Sequence, residues 1–320
     1  MSVQREKIRF ISGGAECAAW HYPGTNGACV VMAGGTAVTK EPGTDVFARR
    51  FHDDGFSVLA FEHRRLGESG GMPRQVVRVK DELADWQAAI ACARGLPGVD
   101  PARLALWGFS LGGGHVIRTA ARTPGLAAAI AQTPLADGPA AVRNATRHQT
   151  PSAMLRLTLR GVLDAVGGIL GRRPLLVPLV GPPGTVATLS SPDVLISPHP
   201  LDPGGSHPDW QQEVAARSTF GISGYRPGRD APRVRCPLMV LVCDQDQAAL
   251  AEPGAVAARQ APRGELLRLP GGHYAPFLDV HEQAVQAQLS FLRRHLSDGG
   301  PADRPGPAVA GTAAQPEGSA

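Results

Sequence analysis

The chain has 320 residues, 43% of them hydrophobic, enough to bury a full core as one large α/β domain with an insertion or as two domains. Its 32 basic and 28 acidic residues give a net charge of +4, and the basic residues are scattered, so no block of Lys and Arg points to nucleic acid or to an anionic membrane. Five cysteines at irregular spacing (Cys17, Cys29, Cys92, Cys236 and Cys243) form neither a disulfide framework nor a CxxC metal pair. The first residues lack the apolar core of a signal peptide, and no run approaches 18 apolar residues. The expectation is a soluble cytoplasmic protein with no metal and no membrane partner.

In chain order, 7–11 and 17–22 alternate as an antiparallel hairpin around Ser12-Gly13-Gly14. Residues 28–33 are a continuous apolar run, as in a strand buried on both faces, ending in Gly34-Gly35-Thr36. A helical pattern over 43–54 leads to a second buried strand, 57–61, and a polar Gly-rich loop over 62–71 that contains His63. Residues 79–94 form a helix with Leu83, Trp86, Ala89 and Ile90 on one stripe. The strand at 104–109 meets a helix that starts at once and runs to about 122, and 126–130 is another strand. Buried strands alternating with helices predict an α/β fold with a mainly parallel sheet. The alternation stops over 137–232, which holds an amphipathic helix at 154–170, a Pro-rich stretch at 174–203 and a second helix at 210–218. It resumes with a strand at 237–243, a helix at 253–260, a strand at 265–269 and a helix at 279–296. We therefore expect a core of 1–136 and 233–296, a largely helical cap inserted at 137–232, and a disordered tail at 297–320.

Gly108-Phe109-Ser110-Leu111-Gly112 sits where strand turns into helix. A serine on so sharp a turn projects its hydroxyl above the sheet edge, and its neighbours two before and two after must be small. The Leu111 amide, at a helix N-terminus, faces the space beside that hydroxyl. Serine needs a base, and the base needs an orienting carboxylate. His273, in Leu269-Pro270-Gly271-Gly272-His273, follows a strand and can reach the edge where open α/β sheets bind ligands. His115 is one turn into the elbow helix and should point away. Asp244 and Asp246 both follow the strand at 237–243, and local sequence leaves the choice between them open; Asp244 could brace the turn through backbone amides. An oxyanion needs two donors, and Thr36 joins Leu111 as the second, with Gly35 allowing close approach of backbone to substrate. His63 is a candidate substrate contact.

These motifs resemble the α/β-hydrolase superfamily, and the loop from Phe61 to Gly71 is similar to that family's F-D-x-R-G-x-G-x-S-x-G. The resemblance spans about 5–296 and looks closest to dienelactone-hydrolase-like, acetyl-xylan-esterase-like and thioesterase-like bacterial members. It implies Ser110 as nucleophile, His273 as base and then acid, Asp246 rather than Asp244 as orienter, and no metal or organic cofactor. Two departures stand out: Gly34-Gly35 where the family usually has His-Gly, and Cys243 where it often has Gly.

The leading expectation is a serine hydrolase of an ester, thioester or lactone of a hydrophobic substrate, acting as a monomer or homodimer. Leu155, Leu157, Leu159, Val162, Leu163, Val166, Ile169 and Leu170 are expected to roof the pocket, with Leu159 and Val166 on one helical face as substrate contacts. The alternatives are cyclisation, acyl transfer or C–C bond formation by the same groups in a bacterial natural-product pathway, and a non-catalytic binder.

Overall fold

The computed structural model describes residues 5–296. The tail expected at 297–320 lies outside the described residues. An antiparallel hairpin, β1 (Glu6–Ser12) and β2 (Ala15–Tyr22), is followed by β3 (Cys29–Ala33), α1 (Thr44–Asp53), β4 (Ser57–Phe61), α2 (Val79–Arg94), β5 (Leu104–Phe109), α3 (Leu111–Ala120) and β6 (Ala128–Gln132). Next come α4 (Gly138–Ala145), α5 (Pro151–Ile169), the short β7 (Leu176–Pro178) and β8 (Glu213–Ala215), and α6 (Ser218–Ser223). The chain then returns with β9 (Leu238–Cys243), α7 (Ala251–Gln260), β10 (Gly264–Leu269) and α8 (His281–Leu296).

Eight strands make one sheet in the order β1-β2-β4-β3-β5-β6-β9-β10. From β4 to β10 every pairing is parallel. Alternate residues of the central strands enter two different cores. Ala105, Trp107 and Phe109 of β5 pack with Phe47 and Phe51 of α1 and Leu289 of α8. Leu104 and Leu106 pack with Trp86 and Ile90 of α2 and Val116 and Ile117 of α3. Burial on both faces is why these strands read as unbroken apolar runs.

The residues between β6 and β9 add no strand to this sheet. β7 and β8 pair only with each other, with Val177 opposite Val214. The expected helix at 210–218 is therefore extended over 213–215, and the helix begins at Ser218. Val214 is fully buried, and Gln75 holds this strand through Nε2 donating to the Glu213 carbonyl (2.7 Å) and its own carbonyl accepting from Ala215 (2.8 Å). Further bonds fasten the segment to the sheet domain: Trp210 Nε1 donates to the Ala37 carbonyl (3.0 Å), Val77 N to Ser218 Oγ (3.0 Å), and Asn144 Nδ2 to the Gln247 carbonyl (2.8 Å).

Helix α5 corrects an expectation. Thr150 caps it by accepting from Ala153 N, and Pro151 occupies its first turn. Its buried face consists of Ala153, Gly161 and Asp164. Leu159 and Val166 are 53% and 51% exposed and lie on the opposite face. Amphipathic spacing shows that two faces differ; it does not say which one turns inward. Here small residues permit close packing: a Cβ on Gly161 would stand 2.8 Å from the Phe220 ring. The Asp164 carboxylate accepts from Leu175 N (2.7 Å) and Arg217 N (2.9 Å).

The turn between β5 and α3 is a tight junction. A Cβ on Gly108 would collide with the Gly112 carbonyl, and one on Gly112 with the Gly34 carbonyl at the end of β3. Gly112→Ala should therefore destabilise the protein by about 1–3 kcal/mol, the usual cost of forcing extra volume into packed structure. Gly221→Ala meets nothing within 4 Å and should be neutral or slightly stabilising. Comparison of the two variants by denaturant unfolding checks this; equal stabilities would show that the elbow can relax.

Candidate active site

Ser110 joins β5 to α3 with φ 57° and ψ −119°, a left-handed conformation that costs a non-glycine residue about 1–3 kcal/mol. Three backbone hydrogen bonds hold it there. Ser110 N donates to the Gln132 carbonyl (3.0 Å), and the Ser110 carbonyl accepts from Gly114 N (3.0 Å) and Leu135 N (2.9 Å). The hydroxyl is thereby held above the sheet edge.

The loops after β9 and β10 converge on it. His273 Nε2 lies 3.0 Å from Ser110 Oγ, and His273 Nδ1 lies 2.8 Å from Asp246 Oδ2. The imidazole and the carboxylate are both buried. Asp246 Oδ1 accepts from Ala248 N (2.9 Å) and Ala249 N (2.7 Å), which aims Oδ2 at the imidazole. Asp244 points elsewhere, into an exposed ion pair with Arg268 (2.8 Å). The amide bracing considered for Asp244 is thus performed by Asp246 itself. Phe109 packs on the imidazole with ring centroids 4.9 Å apart.

Gly35 and Thr36 form the wall beside Ser110. A Cβ on Gly35 would stand 3.1 Å from Ser110 Cβ, so glycine gives close approach there. Leu111 is the first residue of α3, and a helix leaves its first amides without an internal acceptor.

His63 is not a pocket residue. It is buried beside α2, with Nδ1 3.2 Å from Asp85 Oδ2 and its ring 5.0 Å from that of Phe61. The adjacent Arg64 Nε also donates to Asp85 (2.7 Å), so the loop after β4 is stitched to α2 rather than opened to substrate. His115 likewise points away from Ser110, between Glu82 (2.9 Å) and the Tyr225 hydroxyl (3.0 Å).

A cavity of about 180 Å³ opens from Ser110 and His273. Its far walls come from the segment between β6 and β9: Val142, Leu157, Leu179, Leu189, Trp210 and Ile222. Leu159 and Val166 are absent from these walls; α5 supplies Met154 and Leu157 instead. Two polar atoms in the wall, His148 Nε2 and Ser191 Oγ, are buried with no hydrogen-bond partner among the described residues. Among the described residues, no group of three or more His, Cys, Asp and Glu could hold a metal ion, and no helix is long and apolar enough to cross a membrane.

Sequence reasoning missed Asp193. It lies in the Pro-rich stretch, where Ser-Ser-Pro-Asp-Val carries no recognisable signal beyond an acid in an apolar run. Its Oδ2 accepts from Gln247 N (2.9 Å) and His273 N (3.1 Å), tying together the loops that carry Asp246 and His273. Burial disfavours a charged His273, but Asp246, by charge and hydrogen bond, and then Asp193, by charge, outweigh it and raise the imidazole above its ordinary value. The sign follows for a variant. Asp193→Asn keeps an acceptor but removes a negative charge, so the midpoint of His273 should move to lower pH. Stability contributed by the imidazolium is present below its unfolded pKa and lost as pH rises through the raised folded value; in Asp193→Asn that contribution shrinks. Imidazole titration by NMR reads the shift; an unmoved midpoint would show that His273 does not sense Asp193.

Comparison with known proteins agrees with this architecture. Residues 25–166 match the family model of S33 serine aminopeptidases. The quorum-quenching protein AidA of Acinetobacter baumannii (strain MDR-ZJ06) is 37% identical over 292 residues, covering 90% of this chain and 94% of that one. The polyketide transferase ATR5 of Stachybotrys chlorohalonatus (strain IBT 40285) is 27% identical over 301 residues, covering 92% and 98%. The crystal structure of the α/β hydrolase GrgF from Penicillium sp. sh18 superposes with a TM-score of 0.74 at 22% identity, covering 92% of this chain and 99% of that one. With a serine elbow on a mainly parallel sheet and a relative matched along nearly its full length, the chain belongs to the α/β-hydrolase superfamily.

Proposed function

We propose that this protein is a serine hydrolase that cleaves an ester, thioester or lactone of a mainly apolar substrate through an acyl-enzyme. The observation that carries this reading is the hydrogen-bonded line Ser110–His273–Asp246 at the mouth of an apolar cavity. In this reading Ser110 Oγ attacks the carbonyl carbon as His273 Nε2 takes its proton. The oxyanion receives the Leu111 and Thr36 amides. The tetrahedral adduct collapses, the C–O or C–S bond breaks, and His273 returns the proton to the leaving oxygen or sulfur. His273 then deprotonates a water, which attacks the acyl carbon and releases the acid and Ser110. Asp246 holds the imidazole tautomer and stabilises its charge.

The segment 137–232 acts as the cap. A roof of Leu, Ile, Val and Trp side chains suits an apolar acyl group, and His148 Nε2 and Ser191 Oγ suit one hydrogen-bonding group upon it. The quorum-quenching name of the Acinetobacter relative fits a reaction that consumes a small diffusible molecule. A second reading, acyl transfer to an acceptor other than water, is favoured by the name of the full-length polyketide transferase relative. Turnover in ¹⁸O-labelled water separates the two, because hydrolysis places one solvent oxygen in the product acid and transfer places none.

Ser110→Ala should lower turnover by roughly 10³-fold or more with the fold intact and should abolish labelling by a fluorophosphonate. Activity within tenfold of the parent would reject Ser110 as nucleophile. The roof has its own test. Leu157→Gln, on the cavity wall, should lower kcat/KM for long-chain esters about 10-fold or more while sparing acetyl esters, the scale expected when apolar contact in a pocket is lost. Leu159→Gln, on the outer face, should leave both unchanged. Equal kinetics for the two variants would show that the inner face of α5 does not select substrate.

A further inference from the structure

The outer face of α5 and the residue that ends it carry seven large apolar side chains that are 48% to 86% exposed. Patches on monomeric proteins seldom exceed about 300–600 Å², and side chains so exposed present an area on the order of the roughly 800 Å² per partner that a specific interface buries. Leu155, Leu159, Val162, Val166 and Ile169 follow at intervals of four, three, four and three residues. That period of 3.5 is the seam by which one helix packs along another. The seam points away from the buried face of Ala153, Gly161 and Asp164.

We propose that this face is the two-fold interface of a homodimer, with α5 of one copy packed against α5 of a second. Three features select a second copy over a lipid surface. A bilayer has no register and places no demand on helix spacing, whereas a partner helix requires it. The arginines of the helix, Arg156 and Arg160, lie on one flank only, and the other flank carries Met154, Thr158 and Ala165; a helix lying in an anionic interface is served by basic residues on both sides. The only acid on the helix, Asp164, is buried, so the face is apolar and self-complementary, as an isologous contact requires.

The full chain should sediment as a dimer at micromolar concentration, and Leu159→Glu/Val166→Glu should convert it to a monomer. Both positions are exposed, so the double variant should keep the parent circular dichroism spectrum. Val162→Cys supplies a second reading that does not depend on that variant folding. Near the two-fold axis it should cross-link with a short bismaleimide, whereas the parent chain and Gln286→Cys, exposed on α8, should not. A monomer at all concentrations with no cross-link at position 162 overturns the proposal. So does a monomer that floats with phosphatidylglycerol vesicles through this face, which would make a membrane the occupant.

Discussion

The site depends on one steric constraint: α3 must begin where β5 ends, close enough that Gly112 lies against the Gly34 carbonyl. That approach forces Ser110 into its left-handed conformation and sets the distance between the elbow and the loop after β3 that bears Gly35 and Thr36. The strain is held by neighbours rather than by the turn itself. Gln132, the last residue of β6, accepts the Ser110 amide through its backbone, and its side chain joins a buried line in which Gln288 Nε2 donates to Gln132 Oε1 (2.6 Å) and Trp107 Nε1 donates to Gln288 Oε1 (2.8 Å). Strands β5 and β6 and helix α8 are thus cross-braced beneath the serine. Two short buried hydrogen bonds tie these elements together, while Gln132 Nε2 has no hydrogen-bond partner among the described residues.

The placement of Asp246 and His273 follows from strand register. In the parallel pair of β9 and β10, Cys243 stands opposite Leu269, so both chains leave the sheet at one level. The outgoing loops stay paired for another step, with Asp244 N donating to the Leu269 carbonyl and Gln245 N to the Gly271 carbonyl, both at 3.0 Å. Asp246 and His273 are then the first residues free to turn toward Ser110. Asp244 falls within the paired stretch and faces solvent. Two carboxylates two residues apart have different fates because the ladder ends between them.

Much of this architecture was legible in the sequence, and the limits are physical. Strands such as Cys29–Ala33 and Leu104–Phe109 announce themselves because burial on both faces removes polar alternation. The elbow announces itself because only glycine fits its flanks. The orientation of α5 was not legible. The sequence shows a wide apolar stripe, and the ordinary inference is that such a stripe faces the core. The opposite face, with Ala153, Gly161 and Asp164, packs inward because glycine admits the Phe220 ring and Asp164 caps backbone amides that lie 11 and 53 residues away. Nothing in a helical wheel reveals such distant partners. His63 misled for a related reason: a histidine in a Gly-rich loop at the functional edge reads as exposed, but Asp85, one helix later, draws it and Arg64 beneath the surface.

The segment between β6 and β9 and the loops that carry Asp246 and His273 are not separable modules. The segment between β6 and β9 is held to the sheet domain at points that border the site: Trp210 on Ala37 next to Thr36, Asn144 on Gln247 next to Asp246, and Asp193 on both Gln247 and His273. A displacement of the roof large enough to admit a bulky substrate would have to lengthen at least one of these bonds. The Asp193 pair is the sensitive one, because its carboxylate both fixes the backbone of the histidine loop and contributes to the charge that raises the imidazole. The carboxylate that ties the segment between β6 and β9 to the histidine loop thus also favours the charged form of His273.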